Sequence, residues 1–439
     1  MELLQPLGIL LAILVIIGLA MKGYSILVVA PLASMIVIVT NGMDFFPALI
    51  GQESSFMTGL AGFVVNFFAV FLLGAVLAKY MEASGAAQSI AKKILEKTGT
   101  EKPFPVLVAL FIITSVLTYG GISLFVVIFV LVPLAKPLFK ELNIAWNLIS
   151  IPIMLGLGTF TMTMLPGTPS IQNVIPTTYL GTTLTAAPLL GIIGTVVAIA
   201  FGLWYMRRTL NKSLEKGETF ADFDVKESNE ALKTEIPSFG VSIMPIGLLI
   251  AMILIGSAMA IPNIILIGLT AAIAVSAIVF NKYIPAQKAV LNEGAAGSVM
   301  PVIVTAAAVA FGVVITNAPG FTNISEMILN IPGNPLVSLS VAAGIFSIVT
   351  GSSSGAIGIV MEAFSQDYLA MGIDAAVIHK VTAIASSVFT IMPHTGVVLT
   401  FFALTGLTHK NGLKYMFIVM TVSNLLALIA VILASIVLY

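Results

Sequence analysis

Twice in this chain a hydrophobic run that ought to cross lipid is interrupted by glycine, serine, threonine and proline, and the two interruptions are copies lying about 230 residues apart. The first copy runs from Pro103 through Thr118-Tyr119-Gly120-Gly121-Ile122-Ser123 to Phe160-Thr161-Met162-Thr163-Met164-Leu165-Pro166-Gly167-Thr168-Pro169-Ser170. The second runs from Pro335 through Thr350-Gly351-Ser352-Ser353-Ser354-Gly355 to Phe389-Thr390-Ile391-Met392-Pro393-His394-Thr395-Gly396. In both, the proline and the threonine that opens the polar tip are 15 residues apart, and a Phe-Thr element returns about 40 residues later. Non-helical backbone at membrane depth leaves N–H and C=O groups without partners, which is tolerated only where it is buried in protein or lines a wet cavity. Paired interruptions in corresponding halves point to the binding site of a secondary transporter.

The rest of the chain supplies the membrane. It is 59% hydrophobic and only 9% charged, with a mean hydropathy of +1.12, whereas soluble domains carry about 25% charged residues. An ordinary soluble globule is excluded, and an all-α polytopic membrane protein is expected. Spans are predicted at Leu7 to Leu19, Ile26 to Val39, Phe63 to Leu77, Leu189 to Tyr205, Val241 to Met259, Ile264 to Phe280 and Phe417 to Leu438. The absence of cysteine removes disulfides and thiolate metal sites. The first span lacks the basic flank and cleavage site of a secretory signal, so it is expected to stay. Net charge is zero, and no nucleic-acid partner, metal or bound cofactor is expected.

The duplication extends beyond the polar elements. Gly8-Ile9-Leu10-Leu11-Ala12 matches Gly247-Leu248-Leu249-Ile250-Ala251, and Leu73-Gly74-Ala75-Val76 matches Phe311-Gly312-Val313-Val314. The predicted organisation is therefore a first repeat over 1–208, a charged cytoplasmic linker over 209–238 and a second repeat over 239–439. Each half reads as three spans, an amphipathic stretch (Glu82 to Lys97; Phe321 to Ile331), two short arms flanking a polar tip, an interrupted helix and a final span. If the arms form a re-entrant hairpin, each half crosses five times, and an odd number inverts the second repeat. Basic residues favour cytoplasmic loops. With both termini outside, eighteen of the nineteen lysines and arginines fall inside, and Lys380 alone falls outside.

At a hairpin tip the first arm ends in free carbonyls, suited to a cation, and the second begins with free N–H groups, suited to a carboxylate. Gly120, Gly121, Gly351 and Gly355 permit tight turns; Ser123, Ser353 and Ser354 are N-cap residue types. Thr168 before Pro169 reads as an N-cap followed by proline at the first helical position, and Thr395 is its counterpart. Four helix N-termini are thus expected to converge. The candidate substrate-binding residues are Thr118, Tyr119, Gly120, Gly121, Ser123, Gly167, Thr168, Ser170, Asn173, Gly351, Ser352, Ser353, Ser354 and Thr395. Intramembrane ionisable groups are functional candidates by default, which singles out His394 and Glu362 as proton carriers; Asp374, His379 and Lys380 read as surface residues. No lysine or arginine is expected near the tips, so the site suits a small monocarboxylate held by dipoles, hydroxyls and amides, with Gln172 and Asn173 close by. Accumulating an anion against an inside-negative potential requires an accompanying cation, a proton or, as the alternative, sodium. No convergent catalytic set accompanies the polar elements, so the chain is not expected to be an enzyme; a channel is the remaining rival.

In the stretch Thr118-Tyr119-Gly120-Gly121-Ile122-Ser123-Leu124-Phe125-Val126 and the run Leu165-Pro166-Gly167-Thr168-Pro169-Ser170-Ile171-Gln172-Asn173 the sequence resembles the gluconate permease (GntP) family of the ion transporter superfamily, over essentially the whole chain. The first break is more similar to the hydroxybutyrate-permease branch than to the gluconate branch. The resemblance implies a proton symporter of gluconate or a related hydroxy acid in the bacterial inner membrane. It also implies a homodimer, with a scaffold (7–79 and 241–316) holding a transport domain (103–208 and 335–439) that moves as an elevator.

Overall fold

The structure is a computed structural model and describes residues 4–98, 102–119, 124–168, 170–223, 235–259, 261–329 and 331–439. Among these residues all regular structure is helical. The first half opens with α1 (Leu4–Met21), α2 (Ile26–Thr40), a short α3 (Phe45–Ile50) and the long α4 (Phe56–Ala83). The amphipathic α5 (Ala86–Thr98) follows, then the hairpin arms α6 (Pro103–Tyr119) and α7 (Leu124–Glu141). A 3-10 turn (Trp146–Ile149) leads into α8 (Ser150–Gly158), α9 (Phe160–Thr163), α10 (Ile171–Leu180) and the final α11 (Pro188–Glu215).

The second half repeats this order with α12 (Phe239–Ala258), α13 (Ile264–Val279), α14 (Gln287–Thr316), α15 (Pro319–Leu329), arms α16 (Pro335–Thr350) and α17 (Ser353–Ala370), then α18 (Ala375–Val388) and α19 (Gly396–Thr405). Its last helix runs from α20 (Leu413–Phe417) through a π-helical turn (Ile418–Val422) into α21 (Ser423–Leu438). Among the described residues, six helical stretches are long and apolar enough to cross a membrane.

Local chemistry fixes many of the ends. Ser55 and Thr58 form a reciprocal capping box at the start of α4. Asn334 accepts from the Leu336 N–H, and Pro335 takes the first position of α16, where its missing N–H costs nothing. After equal lengths of 10 residues, α10 and α19 both end on left-handed glycines, Gly181 and Gly406.

The packing exchanges the halves. The long helices α4 and α14 lie against one another; α4 also rests on α13, and α14 on α2. In the same way α1 packs on α15 and α12 on α5, while α10 packs on α17 and α19 on α7. One apolar core joins α1 and α2 to α14 through Ile9, Ile16, Val37, Phe311 and Val314. A larger core unites the arms and broken helices. Between α4 and α7 sits an aromatic cluster of Phe63, Phe71, Phe125 and Phe129.

Several boundaries differ from expectation. Helix α11 continues through Arg207 and Arg208 to Glu215, so the start of the expected linker is helical, because nothing after Tyr205 breaks a helix before Gly217. Glu82 belongs to α4 rather than to the amphipathic stretch, since the chain turns at Gly85, which has φ +78. Linker residues 224–234 lie outside the described residues. The largest correction concerns His379 and Lys380, expected at the surface and both fully buried within α18. Capped by Asp374, that helix packs among α16, α17, α10 and α21 and leaves neither side chain a route to solvent.

Candidate functional site

A cavity of about 730 Å³ lies where the duplicated polar elements meet. The N-termini of four helices open on it: α7 through Leu124 and Phe125, α10 through Ile171 and Gln172, α17 through Ser353 and Ser354, and α19 through Gly396 and Val397. The opposite wall is apolar and comes from α4 (Phe63, Phe67, Val70), α13 (Ile264, Ile265) and α14 (Val309, Gly312, Val313). Asn66, Thr305, Thr316 and Thr390 add further polar groups.

The second tip is built by its own hydroxyls. Gly351 takes φ +62 and ends α16, a conformation a side chain would strain. Ser352 is the N-cap of α17, and its Oγ accepts from the Gly355 N–H at 3.3 Å. Ser353 and Ser354, expected as cap residues, are therefore freed for the cavity. Ser353 reaches across the duplication, where Gln172 Nε2 donates to its Oγ at 3.0 Å. The Gln172 Oε1 is buried without a partner, and an unpaired buried acceptor costs about 1–3 kcal/mol, which a bound donor would recover.

At the first break the cap differs from expectation. Ser170, not Thr168, holds the N-cap position of α10, with extended backbone ahead of Ile171. The Ser170 hydroxyl is tied back to the Met162 carbonyl, and the buried Thr168 hydroxyl has no partner. Gly167 has φ +82, and its N–H donates to the Leu184 carbonyl at 2.9 Å. Asn173 Nδ2 donates to the carbonyls of Thr168 and Leu184 at 2.9 and 2.8 Å, which fixes its amide orientation. Its Oδ1 must then accept from His379 Nε2 at 2.9 Å, leaving His379 Nδ1 to accept from the Thr182 hydroxyl at 2.8 Å. A neutral imidazole satisfies every group in this chain.

At the second break Thr395 holds the N-cap position of α19, as expected, but its hydroxyl donates to the Met392 carbonyl at 3.0 Å instead of capping. The buried His394 donates from Nε2 to the Ile348 carbonyl at 3.2 Å and leaves Nδ1 without a partner. It stands edge-on to Phe311 behind the second tip and does not line the cavity. Glu362 is exposed on α17. Its spacing from the cavity-lining Gly355 and Ile359 puts it on the same face, one turn further from the tip.

Of the first tip, Gly120, Gly121 and Ser123 lie outside the described residues. Tyr119 reaches the first break, donating to the Pro166 carbonyl at 3.1 Å. Thr118 is buried 3.1 Å from the Gly156 carbonyl and 3.0 Å from the Thr161 hydroxyl. It locks α6 to the broken helix and, like Tyr119, Gly167, Thr168, Asn173 and Thr395, is absent from the cavity wall. Ser170, Gly351, Ser352, Ser353 and Ser354 are the expected residues that line it.

Two groups escaped the sequence reading. Asn424 of α21 donates to the carbonyls of Gly158 and Ser387, at 3.2 and 3.1 Å, where the first segments of the two broken helices end. One amide thus serves both breaks. Lys380, expected far from the polar elements, donates to the Met164 carbonyl at 3.3 Å, just before the first break. Its positive charge argued for the surface, and since every residue of α18 from Val377 to Val388 is buried, no helical phase marks an inward face.

A model of the GntP family permeases matches residues 2–437. The chain belongs to the GntP permease family. It is 35% identical to the uncharacterized transporter YxjC of Bacillus subtilis, over 93% of this chain and 94% of that one. It is 30% identical to the gluconate permease of Bacillus subtilis over 54% of this chain and 50% of that protein. The crystal structure of the Alcanivorax borkumensis YdaH transporter aligns over 87% of this chain and 88% of that one at 14% identity, with a TM-score of 0.36, too low for a shared fold to be read from it. This GntP permease is a multi-pass membrane transporter and not an enzyme.

Proposed function

We propose that this GntP permease is a secondary active symporter that carries a small hydroxycarboxylate with protons across the bacterial inner membrane. The observation that carries the reading is the convergence of four helix N-termini on one cavity. Their aligned N–H groups favour an anion where, among the described residues, no lysine or arginine lines the wall. The volume of about 730 Å³ is that of a small-molecule site. A relative named gluconate permease supports a hydroxy acid as the class. The apolar wall of Phe63, Phe67, Ile264, Ile265 and Val313 favours a short aliphatic tail, as in 3-hydroxybutyrate. Gluconate's five hydroxyls would have only Asn66, Thr305 and Thr316 to meet on the helices of that wall.

The exchanged packing supports two repeats of inverted topology, with both termini outside and the 209–238 linker in the cytoplasm. The cavity reaches the start of α13 and the end of α14, opposite the ends that carry Lys282 and Lys288. By the positive-inside rule, the cavity opens outward. A homodimeric scaffold with an elevator-like transport domain belongs to the same reading, and the seam between α4 and α7 is where the two parts would slide. His394 and Glu362 are candidates to carry the coupling proton.

Reconstituted protein should accumulate labelled 3-hydroxybutyrate under an imposed pH gradient and prefer it to gluconate. Accumulation under a sodium gradient alone would replace protons with sodium. Flux that never exceeds equilibrium would mark a channel.

A further inference from the structure

Lys380 is fully buried in α18, and among the described residues no carboxylate lies within ion-pairing distance of it. Among the described residues its one hydrogen bond goes to the Met164 carbonyl at 3.3 Å. Met164 ends α9, so that carbonyl belongs to the open end of a broken helix, a place suited to a cation. The position is built to bring the two together. A Cβ on Gly191 of α11 would stand 2.1 Å from the Met164 oxygen and 3.6 Å from Lys380 Cε, so a glycine is needed there.

Among the described residues, no side chain on the helices packed against α18 neutralises the charge. Its own His379 is held neutral between Asn173 and Thr182. The segments α9, α16, α21 and the π-helical turn carry no titratable side chain. Helix α10 brings only Tyr179, which is exposed. From α17 come Glu362 and Asp367, both exposed, and Tyr368, whose hydroxyl is paired with Ser338. On α11 every charge lies at or beyond Arg207, at least sixteen residues from Gly191.

We infer that Lys380 is a proton-carrying group of the transport cycle, its ammonium standing at the first break where a bound cation would otherwise be held. The inference rests on the proton-coupled reading above. When water reaches the break on the receiving side, an N–H bond of the ammonium breaks, the proton passes to water and the electron pair stays on the amine nitrogen; protonation on the other side reverses the step. Substrate held at the four N-termini takes no part in that bond change. A buried ionisable group without a counter-ion is a functional site by default, and lysine, unlike arginine, can release its proton.

The test uses the full-length protein in liposomes with labelled 3-hydroxybutyrate and, in parallel, gluconate. Exchange against internal unlabelled substrate needs no net proton movement; accumulation under a pH gradient does. Wild-type protein that fails to respond to the pH gradient removes the proton reading itself, whatever Lys380 does. Given wild-type accumulation, Lys380→Arg keeps a permanent charge and Lys380→Gln keeps a neutral donor to Met164. Each variant is expected to exchange substrate yet fall to the accumulation of empty liposomes, with exchange that no longer varies with pH. Accumulation at the wild-type level by either variant overturns the inference. So does loss of exchange in a variant that still elutes as folded protein, because Lys380 would then be part of substrate binding or of the fold.

Discussion

At the scale of single residues, the contact that joins the duplicated halves at the cavity is the donation from Gln172 to Ser353. Ser353→Ala removes the acceptor and leaves Gln172 with both amide ends unpaired. A neutral hydrogen bond contributes about 0.5–1.5 kcal/mol, so loss of this pair in the cavity wall should raise KM for uptake about twofold to twelvefold, together with a small drop in the thermal midpoint. An unchanged KM would place the substrate elsewhere. Thr168→Val should matter less, because Ser170 rather than Thr168 occupies the N-cap of α10. His394 offers a second test: its Nδ1 is sealed without a partner, and His394→Gln should abolish accumulation driven by a pH gradient while sparing exchange. Normal accumulation by that variant would clear histidine from the coupling step. The sequence made Ser170, Ser352 and Ser353 visible through duplication. It could not say which serine caps and which faces the cavity, since that depends on one residue of helical phase.

Elements impose their own constraints, and the second break shows how tight they are. A Cβ on Gly396 would come 2.3 Å from Thr305 Cγ2 on α14. Gly396→Ala should therefore lower the thermal midpoint, consistent with the cost of about 1–3 kcal/mol for overpacking. Adding Thr305→Ser removes the offending methyl and keeps the hydroxyl 3.0 Å from Thr400, so the double variant should recover most of the loss. Failure to recover would mean that α19 and α14 are not held apart by this contact. Break positions were legible because proline and glycine, which weaken a helix, cluster there with serine and threonine in both copies. The partner that stabilises both breaks was not. Asn424 lies in an apolar final helix, and only the fold brings its amide to Gly158 and Ser387.

For the molecule as a whole, the question is whether the arms and broken helices move as a body against α4 and α14. The chain has no cysteine, so introduced pairs report cleanly. A Cβ on Gly74 would lie 3.5 Å from Phe129 Cβ, within disulfide range. Oxidising Gly74→Cys with Phe129→Cys bridges α4 to α7 and should stop transport until reduced. The single variants Gly74→Cys and Phe129→Cys cannot bridge, so oxidant should leave their transport unchanged. Undiminished transport by the cross-linked pair would rule out sliding at that seam. The sequence by itself determined the membrane class, the duplicated order of elements and the places where helices must break, because hydropathy, glycine and proline act locally. Tertiary structure alone decided which polar groups share a cavity, that Lys380 and His379 lie inside, and that Thr118 spends its hydroxyl on packing. Burial and hydrogen-bond partners depend on which faces of distant helices meet, and a linear pattern of apolar residues around every face of a membrane helix does not record that.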